Sequence, residues 1–299
     1  MSSKGNSSCP KTAVAVGNFD GVHLGHIHLI NTLKREAIKR DLTPLVVTFE
    51  PHPASVLKKN GSFCRISTSR EKREIIENQL GVKVEVIPFT EEFANTPPEE
   101  FIEGYLIERF GAALIAVGYD WRFGKGASGD IEVVKRVCST KGCEVVSVPP
   151  YRVGGKAVKS SLVRELLRKA RFPEAELYLG HPYWVKRPVV PGKGLGKKLG
   201  FPTLNIEEGI EELCLPNGVY AVCCDGHPAV ANLGYAPTFK GNKRVLEVHI
   251  LRDSFEVSKT PRVVFKRFIR PEKGFKVVEE LIERVKRDIE LAKEVLITD

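Results

Sequence analysis

Several groups of side chains in this sequence carry chemistry by their types and spacing. The first is Gly17-Asn18-Phe19-Asp20-Gly21-Val22-His23-Leu24-Gly25-His26, which joins the apolar run Thr12 to Val16 to a helical pattern in Ile27, Ile30 and Leu33. Glycine lets backbone approach a ligand where a Cβ would clash, and the open N–H groups of a helix's first turn attract phosphate. The stretch reads as a phosphate site, with Gly17, Phe19, Asp20 and Gly25 as candidate contacts. His23 and His26 lie three apart at the helix start, so both rings can point one way. A protonated pair there stabilises charge developing on a phosphoryl group, whereas two solvated surface histidines do no chemistry.

A second group, Ser160, Ser161 and Arg164, opens a later helix; two hydroxyls and an Arg one turn on can hold an anion, or form a plain N-cap. The third is Gly192-Lys193-Gly194-Leu195-Gly196-Lys197-Lys198-Leu199-Gly200, a cationic glycine loop able to cover a polyphosphate through Gly192, Gly196, Lys198 and Gly200. It lacks the Gly-Lys-Ser/Thr ending of a Walker loop. Phe201-Pro202-Thr203-Leu204-Asn205 follows; Thr203 and Asn205 are two apart, so on a strand they share one side and can share a metal and its phosphate oxygens. In Leu246-Glu247-Val248-His249-Ile250 the apolar residues alternate, placing Glu247 on the opposite face as a general base or an ordinary exposed carboxylate. Asp120 and Trp121 sit in a polar-aromatic loop suited to a flat ring, and Arg270 and Phe275 can flank an aromatic anion or simply start a helix.

Strands and helices alternate from residue 12 to about 170, which predicts a mostly parallel, doubly wound α/β sheet. Pro44 to Phe49 is a buried strand whose end, Glu50-Pro51-His52-Pro53, is a candidate pocket wall. Thr68 and Glu71 form a capping box for a helix running to Gly81. Gly124-Lys125-Gly126-Ala127-Ser128-Gly129 matches a dinucleotide fingerprint, but it lies past the strand-to-helix turn and no acidic residue ends the following strand, Glu144 to Val148. The pattern changes near Gly180 to short strands, then one amphipathic helix from about Phe275 to Leu296. This predicts a second domain, a small antiparallel β-barrel with a terminal helix, and boundaries of 1–182 and 183–299.

The 299 residues suffice for two cores, and 42% hydrophobic with 28% charged residues excludes wholesale disorder. No apolar run approaches membrane-spanning length, and Met1 to Pro10 lacks a signal-peptide core, so a cytoplasmic setting is expected. Seven cysteines without paired spacing suggest reduced thiols. The net charge of +9 is spread along the chain, which argues against a dedicated nucleic-acid arm.

Taken in order, Gly17 to His26, Phe49 to Pro53, Gly118 to Asp130, Ser160 to Arg164, Gly192 to Asn205, Ala231 to Phe239, Glu247 and Arg270 to Phe275 resemble the bifunctional riboflavin kinase/FAD synthetase family of bacteria. The resemblance implies a nucleotidyltransferase-like first domain that adenylylates FMN to FAD with ATP, and a second that phosphorylates riboflavin. It implies Mg²⁺ for both steps, with Thr203 and Asn205 organising the ion, Glu247 as base, and Arg270 and Phe275 bordering the flavin. His23 and His26 would stabilise the α-phosphate, Ser161 and Arg164 would hold pyrophosphate, and Asp120 and Trp121 would face FMN. Small molecules are then the partners, with no nucleic acid and no membrane. One live module, a transferase for another phosphorylated alcohol, and a single-strand-binding barrel are the rival readings; the last is disfavoured because the lysines of 193 to 198 are not interleaved with aromatics.

Overall fold

The computed structural model describes residues 11–57, 63–192, 194, 196, 199–238, 241–252, 254–275 and 277–298. They form two compact units: the chain up to Phe63 with Lys72–Lys159, and Cys64–Glu71 with Ser160–Asp299.

The first unit holds a five-stranded sheet of β1 (Thr12–Val16), β2 (Thr43–Glu50), β3 (Lys83–Pro88), β4 (Ala112–Gly118) and β5 (Glu144–Val148). Its order is β3-β2-β1-β4-β5, with every pairing parallel. Each of its strands therefore delivers its carboxyl end, and the loop that follows, to the same edge. α1 (Leu24–Lys39) buries Leu29, Ile30, Leu33 and Ala37; of the three residues the sequence periodicity marks, Ile30 and Leu33 are buried and Ile27 is partly buried. After α2 (Pro53–Leu57), α3 (Ser69–Glu74) continues in a wider π-helical turn, Ile75–Gln79, that gives way to Gly81 at φ +67°. Likewise α4 (Pro98–Glu100) continues as Phe101–Arg109 and stops before Gly111. α5 (Ile131–Lys141) starts on Asp130, whose carboxylate accepts the N–H groups of Glu132 and Val133. The glycines at 124 to 129 precede that cap, in a loop paired between Phe123 and Gly129, and do not form a strand-to-helix turn. The hairpin β6 (Arg152–Val153) and β7 (Lys156–Ala157) ends this unit.

The second unit contains α6 (Ser160–Arg168), α7 (Phe172–Leu179) and seven strands: β8 (Trp184–Lys186), β9 (Val189–Val190), β10 (Leu204–Ile206), β11 (Gly218–Cys224), β12 (His227–Thr238), β13 (Gly241–Ile250) and β14 (Arg262–Pro271). Their antiparallel order, β8-β14-β11-β12-β13-β10-β9, makes a curled half-barrel in place of a closed one. One face of it packs Tyr220, Val222, Leu246, Val248 and Phe265 against α6 and α7 residues such as Val163, Leu167 and Phe172. The other face presents Val219, Ala221 and Val230 to the terminal helix α8 (Val278–Thr298) through Ile289 and Ala292.

Segment 64–71 belongs to this second core. The capping box is present, with Thr68 N–H donating to Glu71 Oε2 at 2.7 Å and Glu71 N–H to Thr68 Oγ1 at 3.2 Å. Glu71 also accepts from the Lys186 N–H and pairs with Arg187, both side chains of that pair being buried. Contrary to the expectation of reduced thiols, Cys64 and Cys214 form a disulfide. Folding brings their Cα atoms to 5.0 Å although 150 residues separate them, a proximity that spacing in the sequence does not encode. Among the described residues Cys138, Cys143, Cys223 and Cys224 are free.

Candidate active sites

At the carboxyl edge of the parallel sheet, the turn after β1 is a high-energy piece of backbone. Phe19 (φ 47°) and Val22 (φ 41°) occupy the left-handed region that L-residues avoid, and both are fully buried. Such positions cost on the order of 1–3 kcal/mol each and persist only where their surroundings over-determine them. The turn delivers His23 to the N-cap of α1, where its Nδ1 accepts the His26 N–H at 3.3 Å. The two imidazoles stack with centroids 3.6 Å apart and planes 13° from parallel, and Phe19 meets His26 edge-on at 5.2 Å. The predicted pair thus does point one way. Gly25 is required by close approach: a Cβ there would press within 3.2 Å of the His23 ring and the Val158 carbonyl. Asp20, within this turn, is buried as well.

The same edge carries a cavity of about 300 Å³, lined by the loops after the strands: Asn18 from β1, Phe49 and Pro53 from β2, Phe89 and Phe93 from β3, and Trp121, Arg122 and Phe123 from β4. Of the wall expected at Glu50 to Pro53, Pro53 lines the cavity, while Glu50, Pro51 and His52 do not; Phe49 of the strand itself lines it beside Pro53. Trp121 stacks on Phe123 with centroids 4.1 Å apart at 13°, inside an aromatic cluster with Phe101. Asp120 does not line this cavity. Its carboxylate accepts from Lys159 Nζ at 2.6 Å, an exposed pair that raises the Lys159 pKa. Neither His23 nor His26 lines it either. The phenylalanines at 89, 93 and 101 are missing from the sequence-derived site; Phe89 directly follows the end of β3, the one positional signal among them, whereas Phe93 and Phe101 sit on the helical turns beyond it.

In the second unit, Ser160 and Ser161 open α6, and Arg164 Nε donates to the Cys64 carbonyl at 3.1 Å. The half-barrel holds a separate cavity of about 240 Å³ lined by Gly196, Thr203, Asn232, Glu247, Arg270 and Phe275, among others. Five of these six were candidates from the sequence, although they span some eighty positions. β-pairing brings them together: Glu247 is the register partner of Asn205 on one side and of Asn232 on the other. Leu246, Val248 and Ile250 are buried on the core face as expected, while Glu247 is half-buried in the cavity wall. Burial pushes its carboxyl above the ordinary range, and a hydrogen bond from the Asn232 amide partly offsets that. Glu247 is therefore not the ordinary exposed carboxylate of the competing reading.

The glycine loop lies directly on the candidate metal residues. A Cβ at Gly192 would fall on the Asn205 amide, and one at Gly196 would meet the Phe201 carbonyl and the Thr203 hydroxyl. Gly200 is exposed with φ +88°; Lys198 lies outside the described residues. Arg270 is gripped by Asp288 of α8 through three bonds, Nε to Oδ1 at 3.0 Å and to Oδ2 at 2.9 Å, and Nη2 to Oδ2 at 2.7 Å. Its guanidinium lies 5.9 Å from the Phe275 ring centre. Asn232 and Asp288 were missed in the sequence, the first inside an apolar strand and the second on an amphipathic helix.

A family model described as FAD synthetase matches residues 6–162, and one described as riboflavin kinase matches residues 179–296. The chain belongs to the bifunctional riboflavin kinase/FMN adenylyltransferase family. It is an enzyme with both activities, phosphorylating riboflavin to FMN and adenylylating FMN to FAD. The Escherichia coli (strain K12) bifunctional riboflavin kinase/FMN adenylyltransferase is 34% identical over 288 residues, covering 94% of this chain and 91% of the relative. That of Bacillus subtilis (strain 168) is 33% identical over 288 residues, covering 93% and 90%. A crystal structure from Streptococcus pneumoniae, named as a macrolide-efflux protein, superposes with a TM-score of 0.78 at 28% identity, covering 96% of this chain and 95% of that one. Among the described residues no helix is long and apolar enough to cross a membrane.

Proposed function

We propose that the half-barrel cavity is the riboflavin kinase site, with Glu247 as its base. The observation that carries this is the convergence of Gly196, Thr203, Glu247, Arg270 and Phe275 on one cavity. The Glu247 carboxylate takes the proton of the riboflavin 5′-hydroxyl as that oxygen bonds to the γ-phosphorus of ATP; the bond from that phosphorus to the bridging oxygen breaks and ADP leaves. Gly192, Gly196 and Gly200 admit the triphosphate, with Lys198 as an added cation. Thr203 and Asn205 offer hard oxygen donors of the kind Mg²⁺ takes, and their place against the glycine loop suits an ion shared with phosphate. Such an ion neutralises charge on the transferring group. Arg270, Phe275 and the apolar side chains Val219, Val230 and Leu281 border the flavin.

The edge of the parallel sheet is read as the adenylylation site. An FMN phosphate oxygen attacks the α-phosphorus of a second ATP, and pyrophosphate departs. His23 and His26, with Gly17, Phe19, Asp20 and Gly25 around them, stabilise the α-phosphate. Ser160, Ser161 and Arg164 hold the pyrophosphate. The aromatic cavity at Trp121 receives the flavin ring, with Asp120 on its phosphate side. The two catalytic modules are taken as residues 1–182 and 183–299, and the setting as cytoplasmic, where ATP is abundant.

The test is chromatography of riboflavin, FMN and FAD after incubating the purified chain with ATP and Mg²⁺, fed riboflavin in one reaction and FMN in the other, with and without Glu247→Gln and His26→Ala. The reading expects Glu247→Gln to stop only FMN formation and His26→Ala to stop only FAD formation. Any other pairing of variant and lost step overturns the role assignments.

A further inference from the structure

Lys72, on α3, is 2% exposed. A lysine is almost never sealed inside a core unless its ammonium is paired or hydrogen-bonded. Its Nζ donates to the Asn18 carbonyl at 3.1 Å, the Thr48 hydroxyl at 3.0 Å and the Phe49 carbonyl at 3.2 Å. Those three acceptors match the three N–H bonds of an ammonium. The wholly buried Thr48 closes the network by donating its own hydroxyl to the Asn18 carbonyl at 3.2 Å. Asn18 thus receives two hydrogen bonds at one oxygen, from groups on two different elements.

Two of the three acceptors belong to residues that line the aromatic cavity, Asn18 on the β1 side and Phe49 on the β2 side. Asn18 also immediately precedes Phe19, the first of the two left-handed residues in the turn. A strained turn keeps its shape only if something outside it holds it, and Lys72 holds its entry point against the end of β2.

We propose that Lys72 is a positioning residue for FMN adenylylation, clamping the Asn18–Val22 turn to the end of β2 so that the α1 N-terminus and the cavity wall stay in register. This rests on the reading of the sheet edge as the adenylylation site. The experiment uses the full chain, with both activities measured on each preparation. Loss of FAD formation in His26→Ala with riboflavin phosphorylation retained upholds the underlying reading independently of Lys72, and FAD formation unchanged in His26→Ala overturns that reading. In Lys72→Met, kcat for FAD formation is expected to fall about 100-fold, as for a misplacement near 1 Å, with the KM for ATP changed much less and riboflavin phosphorylation within about twofold. A purely structural lysine would instead lower the melting temperature while leaving kcat per folded molecule intact, and that result overturns the proposal. Should Lys72→Met not fold, Thr48→Val removes the bridging hydroxyl at constant volume. Its kcat for FAD is expected to drop about tenfold, the worth of one hydrogen bond, and an unchanged kcat overturns the proposal.

Discussion

Asn205 and Glu247 stand directly opposite one another across the β10–β13 pair. Opposed residues in an antiparallel ladder have Cβ atoms about 4.5–5.5 Å apart, which sets the proposed metal and phosphate ligand beside the proposed base. If Glu247 takes the hydroxyl proton, Glu247→Gln lowers kcat for FMN formation by about 10²- to 10⁴-fold with FAD formation from supplied FMN unaffected. Near-normal FMN turnover would remove Glu247 from that role.

The raised pKa of Glu247 gives this prediction a pH signature. A base must be ionised, so the acid limb of kcat/KM for riboflavin phosphorylation is expected above the ordinary glutamate value of about 4.3. The stability effect has the opposite sense. A carboxyl whose pKa rises on folding favours the native state at low pH, and that contribution is lost as pH rises through the folded-state value. Glu247→Gln should therefore melt at a higher temperature than the unsubstituted enzyme near neutral pH, with the gap shrinking on acidification.

His26→Ala removes one face of the imidazole stack at the start of α1. FAD formation from FMN is expected to fall by about 10²- to 10³-fold, the loss typical of one group stabilising a developing oxyanion. Riboflavin phosphorylation on the same molecule should be unchanged. Simultaneous loss of both activities would point to misfolding.

Asp288 is 2% exposed and holds Arg270 through three bonds, with Arg284 approaching the same carboxylate at 3.2 Å. Asp288→Ala leaves buried positive charge uncompensated, a change that costs about 3–5 kcal/mol when a buried pair is broken. Asp288→Asn keeps the shape and most of the hydrogen bonding. It is expected to raise the KM for riboflavin about tenfold with a smaller change in kcat, through a loosened Arg270. An unchanged KM would mean that Arg270 does not touch the flavin.

Reducing the Cys64–Cys214 bond, or replacing both residues by serine, releases a 150-residue loop. Native disulfides of long loops contribute about 2–5 kcal/mol, so the melting temperature measured with a thiol reductant should drop by several degrees. Identical melting curves with and without reductant would show that the bond adds nothing to stability.

Much of this architecture was legible in the sequence because the two hydrophobic periods differ. Alternation in Leu246, Val248 and Ile250 isolated Glu247 on the opposite face, and the helical spacing of Ile30 and Leu33 marked part of the buried side of α1. What stayed hidden depends on the partner across a ladder or a loop. Asn232 reads as a defect in an apolar strand until β13 brings Glu247 beside it. Asp288 reads as a polar residue on an amphipathic helix until Arg270 arrives from β14. The hydrogen bond from the His26 N–H to His23 Nδ1 was beyond sequence because it depends on the cap geometry that the strained turn creates.

The Cys64–Cys214 bond also makes the chain a covalent ring with two free tails. The ring takes in β3 to β5 of the parallel sheet as well as α6, α7 and the start of the half-barrel. One protease cut anywhere inside it cannot release a fragment. A nicked molecule would keep its full mass on a non-reducing gel and fall into two pieces only when a reductant is added.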